Sequence, residues 1–189
     1  MKTIQSALLL FLVFTLLLGG LYPAAVTGCA HLFFPGQAAG SLIADQNGRA
    51  IGSKLIGQPF SARNYFWPRP SATSGHSYNP LASGGSNLGP TNPSLLRLVE
   101  ARVNVLRAAG VETPVPSDLV QASASGLDPH ITPAAAIAQI PRVAGARGMS
   151  EHELQKMVNS RIEERQWGIL GEPRVNVLLL NLALDRLAP

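Results

Sequence analysis

Two short stretches of this chain hold residue types that invite a chemical reading. One is the run Ser83, Gly84, Gly85, Ser86 followed by Asn87; the other holds Ser123, Ser125, Gly126, Asp128 and His130. A glycine-rich turn can aim backbone N–H groups at phosphate, but this run lacks the Gly-Lys-Ser/Thr ending of a phosphate loop, and no lysine on a helix follows it. A serine near His130 would suggest acyl transfer, yet neither Ser123 nor Ser125 sits in an elbow motif that exposes a nucleophile. Asp118 and Asp128 would serve as paired carboxylates if they converged, and nothing in their spacing requires that they do. His31, His76, His130 and His152 show none of the close spacings that bind zinc, and Cys29 is the only cysteine. Hence no intramolecular disulfide and no cysteine-based metal site is expected. Turns and caps account for these residues better than catalysis does, so no catalytic and no metal-binding residue is assigned.

The elements that must position these stretches begin with an apolar segment. From Ile4 to Leu21 the sequence is broken only by Gln5, Ser6, Thr15 and two glycines, and after Lys2 the next charged residue is Asp45. About 20 apolar residues cross a bilayer core, a length reached here by Tyr22, with Pro23 as the expected helix end. Lys2 and the amino terminus favour a cytoplasmic N-terminus and an extracytoplasmic domain. A signal peptide usually has a shorter apolar core. Val26-Thr27-Gly28-Cys29 also looks like the signal preceding a lipidated cysteine, which would leave a lipid-anchored periplasmic binding or interaction module instead. The reading taken is residues 1–30 as N-terminus and transmembrane helix, and 31–189 as one soluble domain.

Composition narrows the function. The chain of 189 residues is 46% apolar and only 14% charged, with a formal net charge of +4. Its arginines are dispersed and aromatics make up only 6%, so neither a phosphate-tracking patch nor a base-stacking platform for nucleic acid is present. Residues 35–92 are rich in Gly, Pro, Ser and Asn and read as loops and short strands; an uncharged ordered loop at 79–93 tends to be functional.

Three helices have legible ends. Asn92-Pro93 opens the first and Gly110 closes it. Thr132-Pro133 opens the second, which Gly148 closes and Pro141 kinks or splits. Ser150 and Glu153 form a capping box for the third, expected to run to Gly168. Strands are expected at Asp118–Ser123 and, most strongly, at Arg174–Leu180. The fold class is α+β: a small sheet, packed helices and one long Gly/Pro/Asn-rich ordered loop.

Several segments then carry a resemblance. They include Gly52-Ser53-Lys54-Leu55-Ile56-Gly57-Gln58, Arg69-Pro70-Ser71-Ala72, Tyr78-Asn79-Pro80 and the run from Ala82 to Pro93. Further on lie Ala122 to Ile131, Gly171-Glu172-Pro173-Arg174-Val175-Asn176-Val177 and Asn181-Leu182-Ala183-Leu184-Asp185. In order and spacing the chain resembles the KdpC family, accessory subunits of the bacterial high-affinity potassium-transporting P-type ATPase. The resemblance implies a single-span inner-membrane protein that does not itself hydrolyse ATP. It implies three partners: a channel-like potassium-translocating subunit, an ATP-hydrolysing P-type subunit and a small stabilising peptide, besides membrane lipid. Two roles follow from it, a chaperone that raises ATP affinity in the hydrolysing subunit, or an outer domain docked over the channel-like subunit. No cofactor is held tightly; ATP would be only a ligand shared with the hydrolysing subunit.

Ser83-Gly84-Gly85-Ser86 also resembles part of the signature loop of another class of transporter ATPase. With Asn87 it is the candidate partner-interface or nucleotide-contact loop. Ser125, Gly126, Asp128 and His130 form a candidate partner-interface segment. Asp45, Asp118, Asp128 and Asp185 are candidates for raising local cation concentration.

Overall fold

In the computed structural model, which describes residues 2–112 and 114–187, the chain divides into two units, Met1–Ile51 and Gly52–Pro189. The first unit is dominated by an unbroken helix, Lys2–Phe33, none of whose most apolar window is buried. Its 32 residues correspond to a length of about 48 Å, more than a bilayer core requires. The helix does not end at Pro23. It comprises α1 (Lys2–Leu16), a π-helical turn at Leu17–Leu21 and α2 (Tyr22–Phe33). The wider turn contains Gly19 and Gly20 and places Pro23 at the start of a new α-helical segment. There the missing N–H needs no partner, so the proline is accommodated without breaking the rod.

A short helix α3 (Pro35–Ala38) follows, then a hairpin of β1 (Leu42–Ala44) and β2 (Ala50–Ser53). Its turn is organised by Asp45, whose carboxylate accepts from the N–H groups of Asn47 at 2.8 Å and Arg49 at 2.9 Å.

In the second unit the expected caps are in place. Asn92 accepts from Ser94 N–H and starts α4 (Pro93–Ala108), and Gly110 leaves it at φ +99°. Thr132 accepts from Ala135 N–H and starts α5 (Pro133–Ala138). The chain breaks at Gln139, and α6 (Ile140–Arg147) takes Pro141 in its first turn before ending at left-handed Gly148. Pro141 therefore splits the helix in two. Ser150 caps α7 (Glu151–Ser160) through Glu153 N–H.

Three local expectations are corrected. α7 stops at Ser160 instead of running to Gly168, because Ile162 and Glu163 leave it to form β4. Asp118–Ser123 is not a strand: Ser117–Leu119 is a single 3-10 turn, and its carboxylate is drawn to Thr132, whose N–H it accepts at 2.7 Å. Arg174–Leu180 is a strand only over β5 (Arg174–Asn176). Asn176 then accepts from Leu179 N–H, a capping bond, and α8 (Val177–Leu187) begins. The alternation of Val175, Val177 and Leu179 mimicked a strand. The buried set Val177, Leu180, Asn181 and Leu184 has helical spacing instead.

The sheet is small and antiparallel, in the order β3 (His130–Ile131), β5, β4 (Ile162–Glu163). Ile131 and Ile162 both pair with Val175, which is fully buried. Around that centre Val143, Leu154, Val158, Leu180 and Leu184 form the core, with Phe66 entering it from the irregular stretch. The α+β expectation is met.

Phe66 poses a problem of backbone satisfaction, since it and its neighbour lie in no strand, yet Phe66 is completely buried. Two buried amides solve it. Asn181 donates to Phe66 C=O at 3.0 Å and accepts from Phe66 N–H at 2.9 Å. Gln139 treats Trp67 in the same way, accepting from its N–H at 2.8 Å and donating to its C=O at 3.1 Å. Each amide does what a neighbouring strand would do. Arg142 closes the set, donating to Gln139 Oε1 and Arg63 C=O while its guanidinium lies 4.2 Å from the Trp67 ring centre. Burial pulls its pKa down to about 10, which leaves it charged at neutral pH.

Candidate functional site

The two stretches singled out from sequence are distant in the chain and adjacent in the fold. Gly84 N–H and the Ser83 hydroxyl both donate to Ser125 C=O, at 2.9 and 3.0 Å. Glycine is required where these strands of loop cross. A Cβ on Gly85 would lie 3.0 Å from Ala124 O, and one on Gly126 would lie 2.7 Å from Gly84 O and 2.5 Å from Thr73. Gly126 also has φ +69°, which strains any other residue. Gly84 differs: its nearest neighbour would be 4.0 Å away, so its outer side is open. Asn87 is left-handed at φ +51° and exposed, and Ser86 is exposed.

Beneath this crossing lies Ser71, whose hydroxyl donates to Gly126 C=O at 2.7 Å and accepts from Tyr78 N–H at 2.9 Å. Tyr78 is buried, has φ +60° and donates its phenol to Arg69 C=O. Burial and the nearby Asp128 carboxylate push the phenol well above its ordinary value, so it stays a donor. Gly57 leaves room for the Tyr78 ring, and its N–H donates to Leu127 C=O at 2.9 Å. An unusual backbone conformation held by several partners marks a place where the loop must have one shape.

Asp128 and His130 open onto the other side, into a cleft that Asp118, Thr132 and Arg174 also line. Here basic and acidic side chains alternate. Arg69 meets Asp128 at 3.0 Å, Asp128 meets His130 Nδ1 at 3.2 Å, His130 Nε2 lies 3.9 Å from Glu163, and Glu163 meets Arg174 at 3.0 Å. Burial raises the Asp128 pKa, but hydrogen bonds from the His130 ring and backbone, with the charges of Arg69 and His130, outweigh it. The carboxyl is held below its ordinary value. Asp118 shares the cleft but is turned to Thr132, so the two aspartates do not form a pair sharing a proton.

The serines do not act as nucleophiles in this arrangement. Ser125 Oγ accepts from Leu127 N–H in a turn, Ser123 is buried, and neither serine is hydrogen-bonded to His130, whose Nε2 faces Glu163 at 3.9 Å. Asp185 pairs with Arg147 at 2.7 Å and accepts from Tyr65, and Asp45 serves the hairpin turn. Arg69, Ser71, Tyr78, Glu163 and Arg174 complete the site; all but Glu163 lie in segments that carried the family resemblance, but none was assigned to the site from sequence. Only the glycines and the Tyr-Asn-Pro turn gave a local hint; the rest come from segments far apart. Among the described residues no cluster of three or more His, Cys, Asp or Glu side chains is placed to hold a metal ion.

Comparison with known proteins covers the whole chain. A family model described as KdpC, K+-transporting ATPase, c chain, matches residues 4–186. The potassium-transporting ATPase KdpC subunit of Geobacter metallireducens is 62% identical over 189 residues, all of both chains. That of Geotalea uraniireducens is 62% identical over 188 residues, again the full length of both. That of Burkholderia ambifaria is 57% identical over 188 residues, 98% of this chain and 97% of the relative. Matched at such identity through the anchor, the crossed loops and the sheet, the chain belongs to the KdpC family of K+-transporting ATPase c chains.

Proposed function

We propose that this protein is a non-catalytic accessory subunit of a potassium-transporting P-type ATPase, carried in the bacterial inner membrane by Lys2–Phe33 with its N-terminus cytoplasmic. The folded unit Gly52–Pro189 then works outside the cytoplasm, docked on the channel-like potassium-translocating subunit, within a complex that includes the ATP-hydrolysing subunit and the small stabilising peptide. The observation that carries the docking reading is the crossing of 83–87 over 123–126, which presents an uncharged, internally bonded surface of fixed shape. Pre-organised loops lose little entropy on binding, which is what a structural contact needs.

The same geometry weighs against these residues cradling ATP. Gly84 N–H and the Ser83 hydroxyl, donors a phosphate would need, are directed at Ser125 C=O. A topology with the unit outside the cytoplasm points the same way, since ATP is on the other side.

Two experiments test the reading. Sidedness is measured by single-cysteine labelling at exposed Ser117 in a Cys29→Ser background, using a membrane-impermeant reagent on intact spheroplasts. Labelling from outside is expected; labelling only after lysis overturns the topology and revives nucleotide contact. The docking surface is probed with Gly84→Glu, because Gly84 has open space and the substitution meets no internal clash. Loss of the complex with a folded variant is expected, and intact active complex would remove the loop from the interface. A Gly126 variant is the poorer probe, as it would disturb Thr73 and Gly84 first.

A further inference from the structure

The hairpin joining β4 to β5 ends in an uncharged tip, Trp167-Gly168-Ile169-Leu170, whose large apolar side chains are exposed, Leu170 about half so. Trp167 is 87% exposed and Ile169 73%. Trp167 sits at φ +53°, a conformation bulky side chains seldom take, and Gly168 follows at φ +76°. Three of the tip's four backbone N–H groups are nevertheless bonded within the turn. Gln166 and Leu170 exchange N–H to C=O bonds at 2.9 Å, Gly168 N–H donates to Arg165 C=O and Ile169 N–H to Gln166 C=O. Behind the tip Arg165 pairs with Glu172 at 2.5 Å and Arg174 with Glu163 at 3.0 Å, while Glu164 is exposed and outside these pairs.

We propose that this tip is a second membrane contact, inserting Trp167, Ile169 and Leu170 into the headgroup and upper acyl region of the bilayer that the chain itself spans. Three features favour lipid over a protein pocket. The bonded tip amides bring few unmet backbone donors into an apolar medium, where each unmet group would be costly. Pairing of four of the flanking charges lowers the cost of approaching a low-dielectric surface. Trp is the side chain whose apolar ring and single N–H suit the membrane–water boundary. The chain also carries its own bilayer-length helix, so the tip meets a lipid surface at high effective concentration. Binding by three side chains alone would be weak, and the tether makes weak binding sufficient.

The proposal rests on reading Lys2–Phe33 as a span, and one experiment separates the two. The full chain is reconstituted into phosphatidylcholine–phosphatidylglycerol vesicles with and without shallow-brominated acyl chains, and tryptophan emission is recorded. Only Trp67 and Trp167 contribute, since the sequence has two tryptophans and none lies in the anchor. A Trp167→Phe variant supplies the Trp67 background, and the exposure of Trp167 makes misfolding unexpected. The expected result is a roughly twofold or greater bromine-dependent loss of the Trp167 component, reduced by Ile169→Asp. Vesicle-bound chain with unquenched Trp167 overturns the tip contact and leaves the span intact. Chain that does not float with vesicles overturns both. Loss of quenching on assembly of the full complex overturns the proposal in favour of a protein pocket.

Discussion

The irregular stretch from Gly57 to Asn92 and the helical stretch from Pro133 to Leu187 are equally fixed in shape, but by different forces. In the helical stretch, apolar side chains at helical spacing bury Val143, Leu154, Val158, Leu180 and Leu184, and the backbone satisfies itself. In the irregular stretch the backbone has no ladder. Asn181 and Gln139 reach from the helices to pair with Phe66 and Trp67, and Ser71 and Tyr78 tie the loops to one another. Order in a loop can therefore be lent by a helix, one buried amide at a time. The crossed loops of the site are held the second way, by Ser71 and by their own bonds.

This contrast can be tested by breaking each kind of support. Leu154→Ala removes a fully buried side chain from the helical core and is expected to lower stability by about 2–5 kcal/mol in chemical denaturation, with no change confined to the loops. Asn181→Leu keeps volume but leaves Phe66 N–H and C=O unpaired; a cost of about 2–4 kcal/mol is expected, and amide exchange should quicken first around Phe66. Uniform loss of protection in both regions would erase the distinction.

Asp128→Asn should cost less, about 1 kcal/mol at pH 7, because the carboxylate is partly solvated. Its folded pKa lies below the unfolded value of about 3.9, so the wild-type advantage exists above that value and fades as pH falls through the folded pKa. A gap between variant and wild type that did not narrow as pH falls through the acid range would show that Asp128 acts through shape instead of charge. Gly84→Glu should change stability by less than about 0.5 kcal/mol while weakening assembly, the smallest effect on folding and the sharpest on function.

The sequence by itself determined what depends on neighbours in the chain. The apolar run foretold a bilayer-length helix. Asn92, Thr132 and Ser150 foretold three helix starts, because a cap needs only a side chain and an N–H two or three residues on. The ordered span of family segments foretold the KdpC relationship. Where local signals competed, the nearest one misled. Pro23 looked terminal until a π-turn absorbed it, and Val175, Val177 and Leu179 looked like one strand until Asn176 started a helix in their midst.

Tertiary structure alone decided the rest. It placed Gly84 under Ser125, 41 positions along the chain, so two stretches read separately became one surface. It strung Arg69, Asp128, His130, Glu163 and Arg174 into a line of alternating basic and acidic side chains. It also gave Gln139 and Asn181, neither assigned a role from sequence, the task of replacing absent strands. Such contacts depend on distances between residues scores of positions apart, and no local periodicity carries that information.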